Sequence, residues 1–296
     1  MGKPNLFIVG AAKSGTTSLH NYLNQHKDIF MCSPKEPHFL INNEIGVERI
    51  PVGITEKKAY EELFDIGKDK RYKGESSVMY LMYPELVIPK IKQEYGEESK
   101  VIIMLRNPVE RAYSGFHHVK RYNVKEDCKD FKTAWYKSEI RYLENKDMTP
   151  ASRYQELGMY FLQVQQYLSQ LNNVHIIIYD DYKTDFQEEI NKVFDFLELE
   201  RVVVNAEQKH MVGGWEWENE RMKKLMMKDN SLKSVIKMIL PFKSLRKKIK
   251  LKIQERSTVK VSLILEEDKQ MLRNFYREDV RKLSVLLNRN LNFWIE

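Results

Sequence analysis

The sequence predicts an α/β fold, in which helices flank a central, mostly parallel sheet that is followed by a helical C-terminal part. Short, continuous apolar runs at 101–105 and 174–179 are typical of buried parallel strands. Helical patterns lie between the strand-like runs, and this alternation indicates βαβ units. The 296 residues, 42% of them hydrophobic, are enough for one large domain of this class.

The predicted elements follow one another along the chain with short connections. In order they are a strand at about 5–10, a helix at 16–26, a strand at 28–31, a loop at 33–40, a segment without clear period at 40–55, a helix at 56–64, a strand end and turn at 73–77, a strand at 101–105, and then a helix at 108–122, a helix at 153–171, a strand at 174–179 and a helix at 186–198. Thr55 is the expected N-cap of the helix at 56–64. The helix at 153–171 is predicted from apolar residues at Leu157, Phe161, Val164, Leu168 and Leu171.

We predict a single domain over residues 1–296, with a core at about 1–212 and a basic helical part at about 213–296. No apolar stretch approaches the roughly 18 to 20 residues that span a membrane, and no signal-peptide pattern precedes the first strand. Cys32 and Cys128 have no metal-ligand spacing and are expected to be free thiols in a reducing compartment. These observations predict a cytoplasmic protein.

A glycine-containing turn joins the first strand to the first helix. It has the residues that bind a phosphate, because Gly10 and Gly15 permit unusual backbone angles and the helix N-terminus attracts anions. Candidate contacts are Lys13, Ser14, Gly15, Thr16, Thr17 and Ser18. The lysine precedes Gly15, whereas in the nucleotide-triphosphatase loop it follows the second glycine.

A second anion motif begins at the end of the strand at 101–105. Ligands of open α/β sheets bind beyond the carboxyl ends of the strands, where Arg106 lies. Pro108 is well placed as the first residue of the next helix, and Ser114 follows about two turns later. An arginine with a serine hydroxyl suits a terminal phosphate.

The order K-S-G-T-T and the segment R-N-P-V-E-R-A-Y-S resemble the two nucleotide motifs of sulfotransferases that use 3′-phosphoadenosine 5′-phosphosulfate (PAPS). The segment K-E-P-H-F-L, from Lys35 to Leu40, is similar to the K-E-x-x-F-[FL] segment of the carbohydrate, heparan-type branch. The stretch from Phe275 through Trp294 also resembles that branch. The resemblance is specific over about 5–120 and weak over about 120–270, and it implies a P-loop-like three-layer fold.

The resemblance also implies roles for residues of the predicted site. Lys13 contacts the 5′-phosphosulfate and stabilises the leaving oxygen, and the backbone of 14–18 holds the 5′-phosphate. Arg106 and Ser114 hold the 3′-phosphate, and Glu36 takes the place of the catalytic base. Lys209, Gly213 and Gly214 are our candidates for a late cofactor loop.

Other features leave the base and the activity open. Glu36 can serve as the base if partial burial raises its pKa, while His38 and His118 are weaker alternatives. Some heparan-type members have a second lysine in the segment E-K-[ST]-x-x-Y. This chain has Ser76 at that position, so it lacks the lysine there. A catalytically inactive nucleotide-binding relative therefore remains an alternative.

The favoured function is transfer of a sulfuryl group from PAPS to a hydroxyl or amine, on a carbohydrate, without a metal. An ATP-dependent P-loop kinase is the alternative, with Asp180 and Asp181 after a strand as metal ligands.

The net charge of +7 suits an anionic partner, but no nucleic-acid module is recognisable. The basic stretch 243–256 could contact a membrane or an acidic glycan, or could be a solvated face. Trp215 and Trp217 could stack on adenine or a sugar ring, or simply pack against the protein.

Overall fold

The structure, a computed structural model, describes residues 2–206, 214–227 and 256–296. Its strands are β1 (Leu6–Gly10), β2 (Ile29–Met31), β3 (Tyr72–Ser76), β4 (Lys100–Leu105), β5 (Val174–Ile178), β6 (Trp215–Trp217) and β7 (Thr258–Lys260). Its α-helices are α1 (Thr16–Leu23), α2 (Phe39–Ile45), α3 (Lys57–Glu62), α4 (Pro84–Lys90), α5 (Pro108–Tyr122), α6 (Phe131–Glu144), α7 (Tyr160–Gln170), α8 (Tyr179–Thr184), α9 (Phe186–Phe196), α10 (Glu220–Met227) and α11 (Glu266–Leu286).

Five strands form a parallel sheet in the order β2-β3-β1-β4-β5. Strand β1 connects through α1 to β2 on one side, whereas β4 leads through later helices to β5 on the other. The carboxyl ends of β1 and β4 therefore flank a topological switch point, where α/β sheets bind their ligands. A separate antiparallel hairpin pairs β6 with β7.

Helices cover both faces of the sheet, which confirms the predicted three-layer α/β fold. One apolar cluster packs α1 and α9 against the sheet through residues such as Leu19 and Phe194. The larger cluster includes α4, α5, α7 and α11, with Tyr276 and Leu283 of the last helix fully buried. The C-terminal helix thus shares the core of the sheet domain, and the division near residue 212 stays a prediction.

Several sequence predictions hold and others are wrong. Helix α5 spans the predicted residues, and the strands at 5–10, 28–31 and 101–105 are confirmed within one residue at either end. Thr55 is not the N-cap of α3, which begins at Lys57 after Glu56 without a side-chain cap. The segment 40–55, which shows no clear period, contains most of α2. The strand at 174–179 is an edge strand, and its first residues are only partly buried.

The helix predicted at 153–171 begins later, at Tyr160, after two 3₁₀ turns at Pro150–Ser152 and Glu156–Gly158. The position of this helix start is fixed by a residue that is distant in sequence. The carboxylate of Asp279 accepts hydrogen bonds from the backbone N–H groups of Tyr160, at 2.8 Å, and Phe161, at 3.2 Å. These bonds satisfy the first amides of α7, so a residue of α11 fixes where the helix starts.

Cys32 and Cys128 are buried free thiols, as predicted. Among the described residues, no helix combines the length and the apolar character needed to cross a membrane. The basic stretch 243–256 lies, apart from its last residue, outside the described residues, and so do Lys209 and Gly213.

Candidate active site

A cavity of about 540 Å³ opens at the carboxyl ends of β1 and β4. Its volume falls within the range typical of small-molecule sites. The candidate residues that line it are Lys13, Gly15, Thr16, Thr17, Ser18, Glu36, Arg106, Ser114, His118 and Gly214. Two other candidates, Ser14 and His38, lie buried beside this group. The fold therefore brings both predicted anion motifs and the predicted base to one cavity.

The loop between β1 and α1 has the predicted left-handed glycine at Gly15 but not at Gly10, where the close approach of Leu81 leaves no room for a side chain. Gly15 has a φ of 95° and is the N-cap of α1, without a side-chain cap. A Cβ at Gly15 would lie 3.1 Å from the ring of Tyr179, so both conformation and space favour glycine. The first N–H groups of α1 lack partners within the helix and stand at the cavity wall, where they can bind an anion.

Lys13 is the central cation of the cavity. Its backbone is left-handed, with a φ of 68°, and its Nζ lies 3.5 Å from Nδ1 of His118. Burial, followed by the positive charges of Arg121 and Arg106, lowers the pKa of Lys13 to about 8. Crowded cations without an anion are electrostatically unfavourable, and a bound phosphate would relieve this.

Arg106 follows β4, and the helix after it starts as predicted. Pro108 is the first residue of α5, and the Asn107 side chain accepts a hydrogen bond from the backbone N–H of Val109 at 2.9 Å. The guanidinium of Arg106 donates to the Lys13 carbonyl at 3.2 Å and to Glu110 Oε2 at 2.6 Å. Arg106 thereby links the two motifs directly, and Glu110 pre-orients its guanidinium.

Glu36 faces the same cavity from the loop before α2. Its carboxylate lies 2.6 Å from Lys35 Nζ and 3.5 Å from His38 Nε2. Burial acts to raise the pKa of Glu36, but the Lys35 ammonium and the His38 ring outweigh it and hold the pKa well below its usual range. The condition stated for Glu36 as the base, a pKa raised by burial, is therefore not met, because Lys35 and His38 together outweigh burial.

The two histidine alternatives differ in their surroundings. His38 is 5% exposed, and its Nδ1 is buried with no hydrogen-bond partner. Its backbone N–H donates to Ser77 Oγ at 3.0 Å. Burial, followed by the charges of Lys13 and Arg121, lowers the pKa of His118 to about 3, so its ring is neutral at physiological pH.

The wall behind Glu36 contains Ser76, at the position where the resemblance implies a lysine. Its Oγ lies 2.8 Å from Nδ1 of His20, and both residues are buried. Burial lowers the pKa of His20 to about 4. The preceding Glu75 is fully buried and accepts hydrogen bonds from Tyr60, Tyr80 and Ser77, and burial raises its pKa. This wall is a buried network in which hydroxyl groups donate to the Glu75 carboxylate.

Sequence reasoning missed His20, Arg121 and Tyr179 as parts of this region. Tyr179 lines the cavity, and its ring centroid lies 5.0 Å from the Arg106 guanidinium carbon. His20 follows Thr16 by one helical turn, so the helical period after the phosphate loop could have indicated it. No local signal in the sequence marks Arg121.

Asp180 and Asp181, the metal ligands of the kinase alternative, are used by the C-terminal segment. Asp180 Oδ2 accepts a hydrogen bond from Trp294 Nε1 at 2.9 Å. Asp181 forms an ion pair of 2.7 Å with Arg289. Both carboxylates therefore have structural partners, which argues against that alternative.

Trp215 and Trp217 pack against α5. The ring of Trp215 lies 4.3 Å from the guanidinium carbon of Arg121, and Trp217 Nε1 donates to the Arg121 carbonyl at 3.0 Å. Of the two interpretations of these residues, the structure favours packing against the protein.

Comparison with known proteins shows which family this chain belongs to. Residues 3–249 match the model of the sulfotransferase domain family. Mouse carbohydrate sulfotransferase 15 is 23% identical over 245 residues, covering 66% of this chain and 44% of that protein. The human bifunctional heparan sulfate N-deacetylase/N-sulfotransferase 1 is 26% identical over 185 residues, covering 60% of this chain and 20% of that protein. The chain thus spans less than half the length of these curated relatives.

A solved structure is similar over the whole chain. The crystal structure of a sulfotransferase from Alicyclobacillus acidocaldarius superposes with a TM-score of 0.75 at 26% identity and covers 100% of both chains. Together with the family match and the cavity between β1 and β4, this similarity leads to one conclusion. The chain belongs to the sulfotransferase domain family of enzymes.

Proposed function

We propose that this enzyme transfers a sulfuryl group from PAPS to a hydroxyl group of a carbohydrate. One observation supports this most: Lys13 and Arg106, from two separate motifs, line one cavity with the carboxylate of Glu36. A donor with phosphates at both the 5′ and 3′ positions needs two cationic sites. A hydroxyl nucleophile also needs a proton acceptor beside them.

In this proposal the donor's anions lie at the carboxyl ends of β1 and β4. The first amides of α1 and the hydroxyls of Thr16, Thr17 and Ser18 bind the 5′-phosphate. Arg106 and Ser114 bind the 3′-phosphate, and Gly214 borders the same cavity. Lys209 and Gly213 remain predictions for the loop beside it.

The chemical step is an in-line displacement at sulfur. The acceptor oxygen forms a bond to sulfur while the bond from sulfur to the bridging phosphate oxygen breaks, so adenosine 3′,5′-bisphosphate (PAP) leaves with the electron pair. Lys13 donates a hydrogen bond to the bridging oxygen as its negative charge develops. Glu36 takes the hydroxyl proton and later releases it to water.

The low pKa of Glu36 is compatible with this role. The carboxylate remains ionised at physiological pH and is ready to accept a proton. The hydroxyl proton becomes acidic only as the oxygen bonds to sulfur, so a weak base can take it late in the step. His38, 3.5 Å from Glu36, holds the carboxylate in place. His118 is the second candidate base, because its neutral ring lies beside Lys13.

The carbohydrate acceptor rests on the named activities of the relatives, carbohydrate sulfotransferase 15 and heparan sulfate N-sulfotransferase 1. We favour a hydroxyl over an amine, because a protonated amine would have to lose a proton before it attacks. Metal-independent activity, a cytoplasmic location and contact of 243–256 with a membrane or acidic glycan stay predictions.

The test is transfer of label from radiolabelled PAPS to a panel of neutral and acidic oligosaccharides, with a chelator or with magnesium. We expect labelled product from at least one sugar, at the same rate in both conditions. The Lys13→Ala variant serves as the blank. Turnover that needs ATP, or a rate in the blank equal to that of the wild type, would contradict the proposal.

A further inference from the structure

Arg121, near the end of α5, borders a second cavity of about 240 Å³. This cavity shares Lys13, Arg106 and Ser114 with the larger one. Arg121 is 4% exposed, so its cationic group lies in the protein wall and not in bulk solvent. Neither nucleotide motif contains this residue.

The β6–β7 hairpin holds the guanidinium in place. Arg121 Nε donates to the Trp215 carbonyl at 2.9 Å, and the Trp215 ring lies 4.3 Å from the guanidinium carbon. Trp217 Nε1 donates to the Arg121 carbonyl at 3.0 Å. These contacts restrict the side chain, and a restricted guanidinium loses less entropy when it binds an anion.

The contacts of Arg121 do not neutralise its charge. Among the described residues, no carboxylate forms an ion pair with Arg121 within 4.0 Å. The nearby Glu216 carboxylate instead pairs with His117, at 3.3 Å, and Lys120, at 3.6 Å. Burial lowers the pKa of Arg121, and Tyr122 and the Glu216 carboxylate oppose this shift without cancelling it.

The charge of Arg121 acts on the transfer end of the cavity. After burial, it is the largest cause of the lowered pKa of Lys13, ahead of Arg106. It also lowers the pKa of His118. The groups acting on Lys13 from the other side are Glu36, which raises its pKa, and Lys35, which lowers it. The positive charge of Arg121 therefore acts on both Lys13 and His118.

We propose that Arg121, which lines the second cavity together with Lys13, is a further cation of the donor site and binds the phosphosulfate end of PAPS beside Lys13. The inference rests on the proposed function. Arg121 would add positive charge in a chain that has Ser76 where the resemblance to some heparan-type members implies a second lysine. Trp215 and Trp217 are positioning residues, because they act through Arg121.

The test compares Arg121→Gln with Lys120→Gln. Glutamine can still donate to the Trp215 carbonyl but has no charge, and Lys120 is the adjacent cation paired with Glu216. For Arg121→Gln we expect kcat/KM for PAPS to fall about 100-fold, as when one preorganised donor is removed. Lys120→Gln should stay within about threefold, and both should melt near the wild-type temperature.

A pH profile separates this role from a purely structural one. The ammonium form of Lys13 binds the donor, so kcat/KM should fall as pH rises through about 8. Removal of the neighbouring positive charge raises the pKa of Lys13, so this alkaline limb should move to higher pH in Arg121→Gln. Loss of hairpin packing alone would leave the limb in place.

Wild-type kcat/KM in a folded Arg121→Gln variant, or an unmoved alkaline limb, would overturn the inference. If that variant does not fold, Arg121→Lys decides instead. It keeps the charge but loses the stacking on Trp215, so we expect the alkaline limb to stay unmoved, and a limb that moves to higher pH would overturn the inference. If wild type and Lys120→Gln also fail to use PAPS, the proposed function fails and the inference with it.

Discussion

The two sides of the active-site cavity hold their charges in opposite ways. On the donor side, Lys13, Arg106 and Arg121 crowd together, and burial and mutual repulsion lower the pKa of Lys13 to about 8. On the opposite side, Glu36 is paired with Lys35, while Ser76 and His20 form a neutral, buried pair. The proposed donor side has more positive than negative charge, although Glu110 pairs with Arg106, so it is ready for an anionic ligand. The base side is already neutralised, so changes there should alter rate more than donor affinity.

The largest expected effect is on the donor side. Lys13→Ala should lower kcat by about 1,000-fold or more, because the leaving oxygen loses its main cation. Steady-state rates with radiolabelled PAPS measure this, with Lys137→Ala, an exposed lysine of α6, as the control. Retained turnover in Lys13→Ala would remove Lys13 from the mechanism.

The base side comes next. Glu36→Gln should lower kcat by about 100- to 1,000-fold, since the proton acceptor is lost. Calorimetric affinity for PAP should change less than about threefold. Glu44→Gln is a matched control, because Glu44 also forms a 2.6 Å ion pair with a lysine, Lys90. A near-normal rate in Glu36→Gln would transfer the role to His118 or His38, and a large loss of PAP affinity would contradict the division between the two sides.

A smaller effect separates the two donor motifs. Arg106→Ala should weaken PAP by about 30-fold, in keeping with the loss of hydrogen bonds to a charged group. Adenosine 5′-phosphate, which lacks the 3′-phosphate, should weaken less than about threefold. Calorimetry with both ligands measures this, beside Arg71→Ala, an exposed arginine paired with Glu198. Equal losses for the two ligands would argue against a 3′-phosphate site at Arg106.

The smallest expected effect concerns Ser76. Ser76→Ala removes the hydrogen bond to His20 and should lower the free energy of unfolding by about 1 kcal/mol. The rate should stay within about twofold, because the buried Ser76 hydroxyl bonds to His20 and does not line the cavity. Urea unfolding and kcat measure the two quantities, with the exposed Ser169→Ala as the control. A tenfold loss of rate at unchanged stability would show that Ser76 itself takes part in transfer.

The sequence could predict the features that depend on local backbone geometry, and it missed those that depend on contacts between distant residues. The phosphate loop and the Arg106 motif are each formed by one continuous stretch of sequence. Their strand–turn–helix context places Lys13, Gly15 and Ser114 through local backbone geometry. The start of α7 depends on Asp279, and the surroundings of Arg121 depend on Trp215; both contacts join residues far apart in sequence. The direction of the Glu36 pKa shift depends on the balance of burial against a neighbouring ion pair. Patterns of residue types do not contain that balance.

The central claim is that this cavity binds a nucleoside bisphosphate donor. Its most direct test is calorimetric titration of the wild-type enzyme with PAP in a chelator, beside ATP with magnesium. We predict saturable, metal-free binding of PAP that is far tighter than that of Mg-ATP. A preference for Mg-ATP, or PAP binding that appears only with a divalent metal, would contradict the account.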